Sequence, residues 1–304
     1  VYTELYWIEI KLAEHKDLAD EAETVRVPTV GTTALDRGTE SHVGSISQRT
    51  MLVDTVAYTG LTAGKEYTLT GTLMVQTTGE ALLVDGEPVT AEKTFVPDKP
   101  DGTVDITFVF DSRAIAGETV VAFEELSYQG ISVAAHTDLE DQEQSVAYPA
   151  LQTEATCEAT GNQQVAVGEE SRVLDQVSLK NLLPGEDYTL WGELIDVETG
   201  TRLTVGEEEA VAELSFTAEQ AEEIREMTFT LDTREIRGKT LVVYEYLLYQ
   251  GVTVASHADR FDERQTVYVP ELQTTALDQE TNSHTGAVKE QTVITDVVNY
   301  KNLI

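Results

Sequence analysis

The sequence has a single cysteine, Cys157, so no disulfide can close within it and stability must come from packing or from another kind of link. Cys157 itself reads as a small core residue rather than a reactive thiol. Basic residues are scarce: 20 Lys and Arg stand against 55 Asp and Glu, a formal net charge of −35. That imbalance argues against nucleic acid as a partner, because phosphate contacts need clustered Lys and Arg. It also disfavours anionic membrane surfaces. It favours solubility and leaves divalent cations as the one partner class open. No run of about 18 apolar residues occurs, so no helix here is expected to span a membrane. No signal peptide or anchor is recognisable, which carries no weight if the chain is a stretch of something longer.

What the sequence does have is repetition. Asp54 in DTVAYTGL returns as Asp175 in DQVSLKNL and as Asp296 in DVVNYKNL, at steps of 121 residues. His15, His136 and His257 keep the same spacing, as do Thr32, Thr153 and Thr274. The 304 residues therefore divide into a tail of a preceding unit (1–27), two complete units (28–148 and 149–269) and the head of a following unit (270–304). Half a sandwich leaves an apolar face uncovered, so the chain is expected to be a segment of a longer array.

Within a unit the pattern is that of strands. EYTLTGTLM, TVDITFVF, TVVAFEEL and ISVAAH alternate apolar with polar or small residues. Turn pairs such as Thr78-Gly79 and Gln129-Gly130 separate them. About seven short strands in roughly 120 residues point to an all-β fold of tandem immunoglobulin-like sandwiches. Ala218 to Arg225 (AEQAEEIR) is the exception, and one or two helical turns are expected there.

Each complete unit ends in a polar cluster, HTDLEDQEQSV from His136 and HADRFDERQTV from His257. Each histidine is followed by an aspartate and a glutamine in fixed register, Asp141 and Gln144, then Asp262 and Gln265. Twelve residues before each histidine stands a glutamate in an apolar strand, Glu124 and Glu245. A hairpin centred on Glu140 would set His136 opposite Gln144.

The literal Val121-Ala122-Phe123-Glu124, the DTVxYxxL-xxGxxYTLxGxL block and the HxD-xxD-xxQ-[ST]-V ending resemble the VaFE repeats of Gram-positive surface-anchored adhesins. The resemblance spans the whole chain. It implies domains that form an intramolecular ester between a threonine of the first strand and a glutamine of the last. The threonine four residues after proline is Thr32, Thr153 or Thr274 in the three units, whereas the next position varies between Thr33, Glu154 and Thr275. The implied bonds are Thr32–Gln144 and Thr153–Gln265, each spanning 112 residues.

The implied chemistry is acyl transfer with loss of ammonia. A threonine hydroxyl needs a base, a role that falls to His136 or His257. Asp141 with Glu124, and Asp262 with Glu245, would each share a proton and polarise the glutamine amide. The preceding unit keeps His15 and Asp20, but Glu23 stands where glutamine belongs and Thr3 where glutamate belongs. A carboxylate is a poorer acyl donor, which places its crosslink in doubt. A Lys–Asn isopeptide bond fits less well, since neither complete unit has a lysine in its first strand, and a thioester would need a cysteine in both.

The expected function is mechanical: a structural stalk of a cell-wall anchored, extracellular adhesin or pilus-like fibre, self-modifying once and not an enzyme with turnover. Its expected partners are neighbouring repeats of the same chain and, through a tip domain outside this segment, a host or matrix ligand. No cofactor and no metal is expected, the acidic run Asp138 to Asp141 reading as a solvated turn. The alternative is that the repeats bind such a ligand directly through exposed loops, without crosslinks. A hydrolase using His136, Asp141 and Glu124 fits less well, since identical sites repeated along an array suit scaffolding.

Overall fold

Alternation of apolar and polar residues becomes strand wherever one face can be buried. In the segment Ser171–Lys180 the even face is solvated and Val173, Asp175, Val177 and Leu179 point inward. Thr50–Thr59 does the same with Leu52, Asp54, Val56 and Tyr58. The computed structural model describes residues 1–17 and 19–304, with Glu21 described by its backbone alone. The helical segments among the described residues are four short 3-10 turns, Glu21–Glu23, Ser112–Ile115, Gln142–Gln144 and Glu263–Gln265. None is long or apolar enough to cross a membrane.

The chain divides into two compact units. The first holds Val1–Leu35, Met51–Val109 and Val120–Ser145; the second holds Asp36–Thr50, Phe110–Thr119 and Val146–Ile304. The boundary therefore runs through the first sequence repeat rather than between the two repeats. Both repeats build the same pair of sheets. In the second, one sheet has the order Ala150–Cys157, Ser171–Lys180, Glu223–Leu231. The other has the order Thr201–Arg202, Asp187–Asp196, Thr240–Tyr249, Val252–His257, with Val211–Thr217 and Thr266–Tyr268 also paired into it. In the first, Thr29–Asp36, Thr50–Thr59 and Gly102–Phe110 form the three-stranded sheet. Thr119–Tyr128 lies between Ile131–His136 and Tyr67–Val75 in the larger one. Leu52, Leu69, Leu73, Ile106, Phe108 and Leu126 form its dry interior.

The strand carrying Glu124 turns back through Gln129-Gly130, both at positive φ (52° and 76°). That is the twisted two-residue hairpin turn that right-handed strands demand. The turn fixes the register so that Glu124 stands opposite His136, past a bulge after Leu126. Gln250-Gly251 repeats the turn and sets Glu245 opposite His257.

Two expectations fail. Ala218 to Arg225 forms no helix: residues 219–222 are a bend and Glu223–Leu231 is strand. Strand pairing overrides the helical propensity of Ala, Glu and Gln, because Ile224 and Arg225 pair with Ser178 and Val177. Ala218 is also tied at both ends, accepting from Gly185 and donating to Glu186. Nor is the His136–Gln144 segment a hairpin. The Asp138 carboxylate accepts from the Glu140 amide and the Asp141 carboxylate from the Glu143 amide. These successive turns lead into the 3-10 turn instead of a second strand.

Gly71 tests the packing. A Cβ there would lie 2.5 Å from Phe108 Cζ, whereas one at Gly31 meets nothing within 4 Å. Gly71→Ala is expected to destabilise the first repeat by about 1–3 kcal/mol, and Gly31→Ala to leave it nearly unchanged, read by thermal melting.

Candidate functional site

The two sheets bring together residues far apart in sequence. On the three-stranded sheet of the second repeat, Thr153 pairs with Val177 and Ala155 with Asp175. Thr153 and Asp175 are thus inward-facing diagonal neighbours. On the other sheet Glu245 sits between Gly192 and His257. Gln265 ends the 3-10 turn that leads into the closing strand Thr266–Tyr268, which pairs with Thr240–Val242. Thr153, Asp175, Glu245 and Gln265 are all buried.

Their polar atoms meet on one carboxyl group. Gln265 Nε2 donates to both oxygens of Glu245 at 2.8 Å, and Thr153 Oγ1 donates to Glu245 Oε2 at 3.3 Å. In the first repeat Gln144 Nε2 donates to Glu124 Oε2 at 2.8 Å and to the Ala122 carbonyl at 2.7 Å. Thr32 Oγ1 is buried there without a hydrogen bond of full geometry, but it lies near enough to Asp54 and Glu124 to favour their ionised forms. The carboxamide oxygens of Gln144 and Gln265 are buried and accept no hydrogen bond, so the expected polarisation of the amide through its oxygen is corrected: the glutamate carboxyl meets the amide nitrogen instead.

The carboxyl that couples to each glutamate is not the expected one. Glu124 is raised to about 10, by burial first and then by hydrogen bonding and charge from Asp54. Glu245 is raised to about 10 by burial and by the charge of Asp175. Burial raises Asp54 too, against the lowering effects of Glu124, Thr32 and His136. Asp175 reaches about 6, again through burial. No donor meets either oxygen of Asp54 or Asp175 at full hydrogen-bond geometry; a proton on the facing glutamate supplies the donor. Each pair therefore holds one proton, since two adjacent buried carboxylates cannot both ionise cheaply.

Asp141 and Asp262 do a different job. Asp141 Oδ2 lies 2.9 Å from His136 Nε2, and Asp262 Oδ2 lies 2.8 Å from His257 Nε2. Their other oxygens cap the 3-10 turns that carry Gln144 and Gln265. The pairing of Asp141 with Glu124 and of Asp262 with Glu245 is corrected accordingly: the partners are Asp54 and Asp175. The His257 imidazole hydrogen-bonds Asp262 and the His136 imidazole lies within ion-pair distance of Asp141, and the threonine hydroxyls face carboxyl oxygens. The tail keeps the imidazole–carboxylate pair, with His15 Nε2 2.8 Å from Asp20 Oδ2 and 3.8 Å from Glu23 Oε2. Thr274 lies on the strand Glu271–Asp278, opposite Val298 and exposed. No group of three metal-ligating side chains occurs among the described residues.

Asp54 and Asp175 were visible in the sequence only as landmarks of the repeat. A signal was there: in LVDTVAY and VLDQVSL the aspartate takes an inward position of an apolar alternation, where a charge is costly unless it has a partner.

A family model of the T-Q ester bond containing domain matches residues 28–148, 149–269 and 270–304. The chain belongs to this family. Solved structures similar to this T-Q chain include a bacterial adhesin from Mobiluncus mulieris containing intramolecular disulfide, isopeptide and ester bond cross-links. One crystal form is 16% identical over 90% of this chain and 92% of that one, with a TM-score of 0.34. A second form gives 15%, 91%, 98% and 0.35. A putative β-galactosidase from Bacteroides fragilis is 12% identical over 76% of this chain and 34% of its own, with a TM-score of 0.30. A comparison with curated proteins finds no match.

The Glu245 carboxyl makes the site sensitive to pH. Its ordinary value is 4.5 and its folded value about 10, so between them the folded state keeps a proton that the unfolded state has lost. This contribution to stability is fully present below about pH 4.5 and is lost as pH rises toward about 10. Asp175, raised to about 6, acts in the same direction over a narrower window. The second repeat of a Thr153→Ala protein is expected to melt progressively lower from about pH 5 to about pH 9. Adding Glu245→Gln should flatten that slope by up to about 1.4 kcal/mol per pH unit, the worth of one proton.

Proposed function

We propose that this chain is part of the structural stalk of a bacterial cell-surface adhesin or pilus-like fibre, with one domain per repeat (28–148 and 149–269). Each domain is locked by an autocatalytic ester, Thr32–Gln144 in the first and Thr153–Gln265 in the second. The observation that carries this reading is the convergence of the Thr153 hydroxyl and the Gln265 amide nitrogen on the one buried carboxyl of Glu245. A nucleophile and a leaving group held against the same carboxyl oxygen are placed for proton transfer between them.

The step balances within the site. Thr153 Oγ1 attacks Cδ of Gln265 as its proton passes to the Asp175–Glu245 pair. The C–N bond breaks as the pair returns a proton to the departing nitrogen, which leaves as ammonia. One O–C bond replaces one N–C bond, and the carboxyl pair ends as it began. Thr32, Gln144, Asp54 and Glu124 take the same roles in the first repeat. His136 with Asp141, and His257 with Asp262, position the turn that presents the glutamine. The proximity of His136 also favours the ionised form of Asp54, the state that can accept the threonine proton. Burial keeps water from the finished ester.

The site turns over once and acts on its own chain. Its product bypasses almost every residue of a repeat, which suits a strut under tension. Attachment to the cell wall and a ligand-binding tip beyond this segment belong to the same reading.

Three measurements test it. The intact mass is expected to fall short of the sequence mass by two ammonia units, and the Thr153→Ala protein by one; a mass equal to the sequence sum would falsify the crosslink. Asp54→Asn and Glu124→Gln should leave the first repeat folded and unlinked, whereas His136→Gln should slow the reaction without abolishing it. A crosslink over a loop near 100 residues is worth up to about 4.7 kcal/mol, so Thr153→Ala should also lower the melting temperature of the second repeat. In single-molecule stretching, linked repeats should show no unfolding extension and Thr153→Ala should restore one for the second repeat.

A further inference from the structure

The esters leave the joints between repeats outside their span, and the second compact unit contains such a joint. It takes Asp36–Thr50 and Phe110–Thr119 from the first repeat together with all of the second. Val43, from the first repeat, is fully buried in a cluster with Leu151, Val177, Leu179, Leu182 and Tyr188 of the second. Beside it, Asn181 reaches the other way. Its Nδ2 donates to the carbonyls of Glu118 (2.7 Å) and Tyr148 (3.3 Å), and its Oδ1 accepts from the Thr119 hydroxyl at 3.1 Å. These carbonyls already anchor the end of the first repeat, where Gly117 donates to Tyr148 and Tyr148 to Glu118.

The same positions act at the next joint. One period on, Asn302 Nδ2 donates to the Thr240 hydroxyl at 3.2 Å. Gln164 stands where Val43 does and substitutes hydrogen bonds for apolar contact: its Nε2 donates to the Tyr268 and Asn302 carbonyls, and its Oε1 accepts from the Ile304 amide. Both asparagines sit at φ 56°, in the left-handed region. Glycine or asparagine suits that backbone, and the first repeat has Gly60 there, at φ 73°. The backbone requirement alone is met by glycine; the side chain is what reaches across.

We propose that Asn181 and Asn302 are clasps between successive repeats, which with the residue at position 43 or 164 set in place build a fixed joint in the array. Asn181 holds backbone carbonyls and the Thr119 hydroxyl, and Asn302 holds the equivalent Thr240 hydroxyl, so the partner the clasp fits is the chain reversal near the end of the preceding repeat. The joint resists bending, a load that a crosslink within one repeat does not carry.

The test uses the full chain with dyes on one exposed loop of each complete repeat, in wild type and in the Asn181→Gly and Val43→Ser/Asn181→Gly variants. Asn181→Gly keeps the left-handed backbone unstrained and reproduces what stands at position 60. Both repeats should retain their melting transitions. The inter-dye distance distribution should broaden in Asn181→Gly and more in the double variant, and the Gly117 and Tyr148 amides should exchange roughly tenfold or more faster as local opening becomes easier. Distributions and exchange rates equal to wild type in the double variant would overturn the proposal. So would a melting transition lost from the first repeat in Asn181→Gly, which would make the contact part of that repeat's own core. Neither outcome depends on ester formation, which the mass reports separately.

Discussion

Everything at the centre of each repeat depends on one buried proton. Placing Glu124 and Asp54, or Glu245 and Asp175, within a dry sandwich is affordable only if one member of the pair is neutral. Burial alone pushes both up, and mutual repulsion pushes the glutamate furthest. The neutral member then has a hydrogen to give and the ionised member has a place to receive one. In the proposed reaction, acid and base both come from this one constraint.

The sandwich around this pair keeps it dry and in register. The Gln129-Gly130 and Gln250-Gly251 turns fix which residue stands opposite Glu124 and Glu245. Missing Cβ atoms at Gly71 and Gly192, the residues across from those glutamates on the other neighbouring strand, let Phe108, Met227 and Phe229 close over the sheet. The imidazole–carboxylate pair stays partly exposed at the rim, where it can hold the glutamine turn without paying the desolvation that the inner pair pays.

The 121-residue period, the strand alternation and the Thr, Glu, His, Asp and Gln positions were legible because they recur at fixed spacing and each strand obeys a period of two. Which carboxyl faced which was not legible, because Asp54 and Glu124 meet across two sheets and no local rule links them. Asp141 drew attention by proximity in sequence to Gln144, while its real work is to cap a turn and hold His136. The Ala218–Arg225 segment misled for the opposite reason: its composition is helical, but Glu223–Leu231 completes a sheet edge, and tertiary pairing outweighs propensity. The joint left no sequence signature beyond the alternation of Gly60, Asn181 and Asn302, which reads first as a turn requirement.

Gln144 and Thr153 stand only eight intervening residues apart, and Gln265 and Thr274 repeat that spacing. With the esters of the proposed function in place, the shortest covalent route through one repeat is a crosslink followed by this short connector, at most about 30 Å when fully drawn out, and part of it already lies extended as strand. A tandem chain without such links dissipates a pull by unravelling one domain at a time. This one has almost no slack to release, so a sudden jolt at one end reaches the other nearly undamped. Any cushioning against fluctuating shear would have to come from elements in series with these repeats, or from breakage and renewal of the contact at the far end.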